Sequence, residues 1–215
     1  LGLGRRGTRV KRALELNPNY APAYHWYAIL VLAAQGRGAE SIAGMQRAVD
    51  LDPVSPIMRT DLGWAYYLAG QEAEPLEQYR TALDLDPDFL EAHDRLWRYY
   101  QQRGMLDEAI AEWGKADAQV AGRSSSAAVE SAYKTGGYNK AVRQILAYEE
   151  NARETPYDMA VFYALAGEQQ RALDALEKSF RTRDPGLIYA KVDPLLQSLH
   201  SDPRYQDLLR RMGLE

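Results

Sequence analysis

Three stretches, "ALELNP" at 13–18, "AVDLDP" at 48–53 and "ALDLDP" at 82–87, repeat one six-residue pattern at intervals of 35 and 34 residues. A fixed period of this length means that the chain is assembled from similar supersecondary units that bury their apolar faces only by stacking. Glycine marks the same period independently. Gly36, Gly70, Gly104, Gly136 and Gly167 are 34, 34, 32 and 31 residues apart. Five residues after each stand Ser41, Pro75, Ala109, Ala141 and Ala172.

Between these markers the residues spell two helices. Leu62, Tyr66 and Ala69 fall on one helical face, and Gly70 ends that helix in a conformation that costs other residues more. A second helix from about Glu72 places Leu76, Tyr79, Ala82 and Leu83 on one face and stops at Asp86-Pro87. Pro75 fits because the amide it lacks has no partner in a helix's first turn. Antiparallel helices approach closely only at small side chains, a role for Gly63, Ala28, Ala109, Ala141 and Ala172.

These residues resemble the tetratricopeptide repeat family. Leu62, Gly63, Tyr66, Gly70, Tyr79, Ala82 and Pro87 match its pattern in one unit; Leu96, Tyr100, Gly104, Ala109, Trp113 and Ala116 match it in the next. In that second case Trp97 occupies the small position, so the helices are expected to separate or shift there. An earlier unit matches at Tyr24, Tyr27, Ala28, Ala48 and Pro53, with one extra residue in its first helix. The resemblance implies an all-α superhelix of antiparallel helix pairs. Residues 1–117 are expected to hold repeats, the first truncated. "AQVAGRSSSAA" interrupts the register, making 118–127 a mobile loop. Residues 128–215 hold shortened repeats and a C-terminal capping helix, in which Ser201 or Asp202 caps, Pro203 starts and Gly213 stops "PRYQDLLRRM". This tail also resembles repeat regions of large bacterial signalling and regulatory proteins.

Little in the sequence points to chemistry. "GLGRRG" at 2–7 has the glycines of a dinucleotide loop, but it runs into a repeat's second helix rather than joining a strand to a helix. His25, His93 and His200 are not at metal-ligand spacing, and there is no cysteine. Nucleophile elbows, phosphate loops and kinase signatures are absent, and the pairs Glu149/Glu150 and Asp84/Asp86 read as solvated surface. The basic run Arg5, Arg6, Arg9, Lys11 and Arg12 is offset by a net charge of −4, which argues against nucleic acid. A non-catalytic chain with neither metal nor cofactor is expected.

What remains is a binding surface for a protein or peptide. The resemblance implies that each unit's first helix lines a concave groove. That assigns to it His25, Trp26 and Ile29, then Thr60, Trp64 and Tyr67, then Asp94, Arg98 and Gln101. Trp64 lies about 100° round its helix from Gly63, so its indole is expected to leave the close helix contact and face a partner. The family members that grip terminal carboxylates use Lys, Asn and Arg at positions held here by His25, Ile29, Asp61, Glu91 and Arg95; only Arg95 fits. The alternative is a spacer or self-association module that controls an attached catalytic or DNA-binding domain. The missing first helix would leave apolar surface near Val10 and Leu14, a route to self-association. Leu1 suggests a piece of a longer chain, with no membrane segment in it and the cytoplasm as its expected location.

Overall fold

Proline and glycine set the ends of nearly every element in the computed structural model, which describes residues 3–120, 125–152 and 155–214. The helices are α1 Leu3–Leu16, α2 Ala21–Tyr27, α3 Gly38–Leu51, α4 Pro56–Leu68, α5 Glu74–Leu85, α6 Leu90–Gln102, α7 Leu106–Gln119, α8 Ser126–Ala152, α9 Pro156–Leu165, α10 Gln169–Thr182 and α11 Pro203–Met212. No strand occurs among the described residues, and none of their helices is long and apolar enough to cross a membrane. The all-α array of helix pairs is therefore as expected. Residues 3–7 of "GLGRRG" lie within helix α1 rather than in a loop, unlike a nucleotide-binding turn, and Gly2 lies outside the described residues.

One turn design is used at five places. At Gly36, Gly70, Gly104, Gly167 and Gly213 the backbone has φ between 70° and 76°. The next amide reaches back to close each helix: Gln71 N to Tyr66 O at 3.0 Å, and Glu168 N to Tyr163 O at 2.8 Å, for example. The fourth marker is one residue off expectation. Gly137, not Gly136, takes the positive φ, breaking α8 into two helices at φ 72°, ψ −172°. At Gly136 a Cβ would meet the flexible side chain of Lys140.

The extra residue of the early unit also has a physical home. After Tyr27 the helix continues as a π-helical segment, Ala28–Ala33, whose wider turn absorbs one residue without breaking the apolar face. Ala28, Ile29, Val31 and Leu32 all remain buried.

The chain divides into two compact units, Leu1–Tyr99 and Tyr100–Glu215, with the boundary inside α6. In the first, α2, α3, α4 and α5 pack in sequence. Its core holds Met45, Ala48, Leu62, Trp64, Ala65, Tyr67, Tyr79 and Ala82. Gly63 is the close contact the sequence predicts, since a Cβ there would meet Tyr79 Cε1 at 2.5 Å. At the other end of this unit Val10 and Leu14 are half-buried and Leu16 is exposed. Trp97, at the small position, is buried, and its indole donates to Asp94 Oδ1 at 3.0 Å.

In the second unit α7 packs on α8, α8 on α9 and α9 on α10. The expected loop at 118–127 lies partly outside the described residues, at 121–124. Its described end is anchored: buried Asp117 accepts from Ser125 N, Ser125 Oγ and Ser126 N at 2.9–3.2 Å. The end of this unit obeys a rule that the repeat does not show. Asp184-Pro185, Asp193-Pro194 and Asp202-Pro203 recur every nine residues. Each aspartate accepts the amide two residues on, opening the short 3-10 helices Pro185–Tyr189 and Pro194–Leu199 and then α11. Tyr157, at the start of α9, reads two of them: its amide donates to Asp184 Oδ2 at 2.9 Å and its hydroxyl to Asp193 Oδ2 at 2.8 Å. The buried face of α11 is the expected one, Tyr205, Leu208, Leu209 and Met212.

Candidate functional site

The helical spacing Thr60–Trp64–Tyr67 does align three side chains on one face of α4, but that face is covered. Trp64 and Tyr67 are each 1% exposed and Thr60 is fully buried, whereas the sequence predicts an open aromatic groove. The physical reason lies one repeat ahead. The Arg95 guanidinium, carried by α6, sits 4.0 Å over the Trp64 ring, and Trp64 stacks on Tyr67 with centroids 4.9 Å apart. The next first helix thus lays a cation on the aromatic floor.

Polar pairing fixes the same wall. Buried His25 of α2 meets Asp61 of α4 at 2.6 Å, so two residues at clamp-type positions satisfy each other. Ile29 and Arg98 are buried as well. Asp94 takes Arg95 and Arg98 at 3.3 Å each. Burial pushes the Asp94 carboxyl up, but the charges of Arg98 and Arg95 and the bonds from Trp97 and Arg98 outweigh it and hold it below the usual range. Burial likewise raises the Tyr79 phenol, whose oxygen has no hydrogen-bond partner.

Of the assigned residues in this unit, Trp26 alone is exposed, at 51%, with its indole stacked 4.9 Å from the locked His25 ring. Asp94 and Arg95 are half-buried, with side chains 32% and 22% exposed. Gln101 belongs to the second unit, half-buried, with its Oε1 unpartnered.

The second unit holds a feature that the repeat pattern does not announce. A cleft of about 680 Å³ is lined by Glu149 and Glu150 at the end of α8, by Pro156, Met159 and Tyr163 of α9, and by Arg171, Asp174, Ala175, Lys178 and Thr182 of α10. Glu150 is no bystander: Tyr163 OH donates to it at 2.8 Å and Arg171 at 2.5 Å. Those two bonds hold its carboxyl below the usual range, while burial and the Glu150 bond push the Tyr163 phenol up to about 12. Arg171 also lies 4.2 Å over the Tyr163 ring. Glu149 is 2% exposed, which corrects the solvated-surface reading for that member of the pair, while Glu150 is exposed as expected. A signal for that burial is present in the sequence: Ala141, Val142, Ile145, Leu146 and Glu149 share one helical face.

No group of three or more His, Asp or Glu able to hold a metal occurs among the described residues. No family model matches the chain. Over 79 residues, 37% of the chain, it is 30% identical to a TPR repeat-containing thioredoxin, TTL4, of Arabidopsis thaliana, and this match spans 12% of that protein. Among solved structures, the crystal structure of MamA gives a TM-score of 0.46 at 16% identity, covering 81% of this chain and 85% of that one. YrrB, described as a TPR protein with an unusual peptide-binding site, gives 0.45 at 20% identity, covering 88% and 82%.

Proposed function

We propose that this chain, which resembles tetratricopeptide-repeat proteins, is a non-catalytic interaction module that takes a protein or peptide segment along the first-helix face of its first unit. The observation that carries this reading is Trp26. An indole left 51% exposed beside a ring that is locked by a buried carboxylate is a rigid anchor, and tryptophan is enriched among residues that dominate binding energy. In this reading His25, Ile29, Thr60, Trp64, Tyr67 and Arg98 are the packed wall behind the anchor. Asp94 and Arg95 form the polar rim, and Gln101 stands apart in the second unit.

The module serves within a larger regulatory or signalling protein of bacterial type, in the cytoplasm. The punctuated tail, which resembles repeat regions of such proteins, supports this context. A photo-crosslinking residue at position 26 tests the reading in cells that express the full-length protein. A discrete adduct that a Trp26→Ala chain fails to compete for is the expected result. An adduct with a second copy of the chain would favour self-association, and indifference to Trp26→Ala at unchanged thermal stability would remove the anchor.

A further inference from the structure

We infer that the cleft of the second unit is a separate docking site, for a peptide segment that carries an apolar side chain next to a carboxylate. This goes beyond the Trp26 surface and is built from residues of α8, α9 and α10 alone. Its floor and walls include Pro156, Met159, the Tyr163 ring and Ala175, and about 680 Å³ is within the size range of pockets that enclose small ligands or a few side chains.

Charge selects the occupant. Glu150 is held by Arg171 and Tyr163, and Arg171 is further tied to Glu168 at 2.8 Å. Asp174 is drawn outward to Arg204 of α11 at 2.7 Å rather than to Lys178, one turn along its own helix. Lys178 is left at the exposed rim as the lining cation with no ion pair among the described residues. A peptide carboxylate at Lys178 lets the neighbouring side chain enter over Met159 and Ala175. Of the three lining carboxylates, Glu150 and Asp174 are already engaged by arginines and Glu149 is 2% exposed, so a basic peptide would find no open carboxylate at the rim.

The cleft lies against the first helix α9 but opens onto the second helix α10 and the end of the second helix before it, in α8. It is therefore distinct from the first-helix face that carries Trp26.

A phage-displayed library of twelve-residue peptides, selected on the full chain, tests the assignment. Selected sequences should share an apolar residue adjacent to Asp or Glu. As synthetic fluorescent peptides they should bind Lys178→Gln about three- to tenfold more weakly, as loss of one partly exposed charge-assisted contact predicts. Lys178→Arg should restore binding, and replacing the peptide carboxylate by its amide should reproduce the loss on the unchanged chain. Ala175→Gln fills the open cleft without touching the core and should abolish binding with the thermal midpoint unchanged. Trp26→Ala should leave it intact, which separates failure here from failure of the first-unit reading. Peptides without a carboxylate, or indifference to both Lys178→Gln and Ala175→Gln, would overturn the proposal.

Discussion

Trp64 in the first unit and Tyr163 in the second are both aromatic residues on a first helix, and both lie under an arginine, Arg95 at 4.0 Å and Arg171 at 4.2 Å. Their surroundings differ. Around Trp64 the arginine completes a packed wall, with Thr60, Tyr67 and Tyr79 buried beside it. Around Tyr163 the arginine is turned to Glu150 and Glu168, and a cleft remains in front of the ring. An aromatic on a repeat's first helix is thus not a binding residue by position. What decides is whether the next element fills the space before it.

That contrast breaks most sharply under mutation of the two rings. Trp64→Ala should destabilise the chain by about 3–5 kcal/mol, the cost of deleting a fully buried aromatic. Tyr163→Phe should cost far less, because it removes a hydroxyl from partners that retain each other. Chemical denaturation of both variants checks the pair, and a smaller effect at Trp64 would place it at a surface. Next in size is Gly63→Ala, whose new methyl would lie 2.5 Å from Tyr79 Cε1. Overpacking of that kind costs ~1–3 kcal/mol, and the denaturation midpoint reports it.

In the second unit Tyr157→Phe should cost about 1–3 kcal/mol on the same measurement, because fully buried Asp193 loses the hydroxyl that donates to its Oδ2. Trp26→Ala should shift stability by under ~0.5 kcal/mol, as expected for an exposed site, while weakening partner binding.

The smallest effect is a pH dependence at the cleft. The folded-state pKa of Glu150 lies below its ordinary value of 4.5, held there first by the Tyr163 bond and then by that of Arg171. Its contribution is therefore present above the ordinary value and lost as pH falls through the folded one. The stability difference between the unchanged chain and Glu150→Gln should shrink as the pH is lowered below the ordinary value of 4.5. A difference that grows on acidification would reverse the assignment.

Much of this architecture is written in the sequence because it depends on local chemistry. The glycine turns at 36, 70 and 104, the proline stops and the Asp202–Pro203–Gly213 punctuation of α11 each need only their neighbours. The extra residue near Trp26 is visible there too, though not the π-helical segment that absorbs it. Gly136 and Gly137 cannot be told apart by spacing, since either allows the turn and only packing picks one. The groove is less legible. Periodicity gives the face of α4 that bears Trp64, but what covers the face comes from Arg95, a whole repeat away. Glu149 teaches the reverse: its helical register with Ala141 and Ile145 predicts burial, and composition alone misleads.

The bond from Tyr157 to Asp193 also bears on incomplete copies of this chain. Tyr157 is made 36 residues before its hydroxyl's acceptor, so a product that ends between Asp184 and Asp193 retains the Asp184 contact yet carries a phenol deprived of that acceptor. Such a product also lacks the Tyr205–Leu209 face that covers the final helices. Loss of both contacts is expected to raise the share of time that α9 and α10 spend locally open.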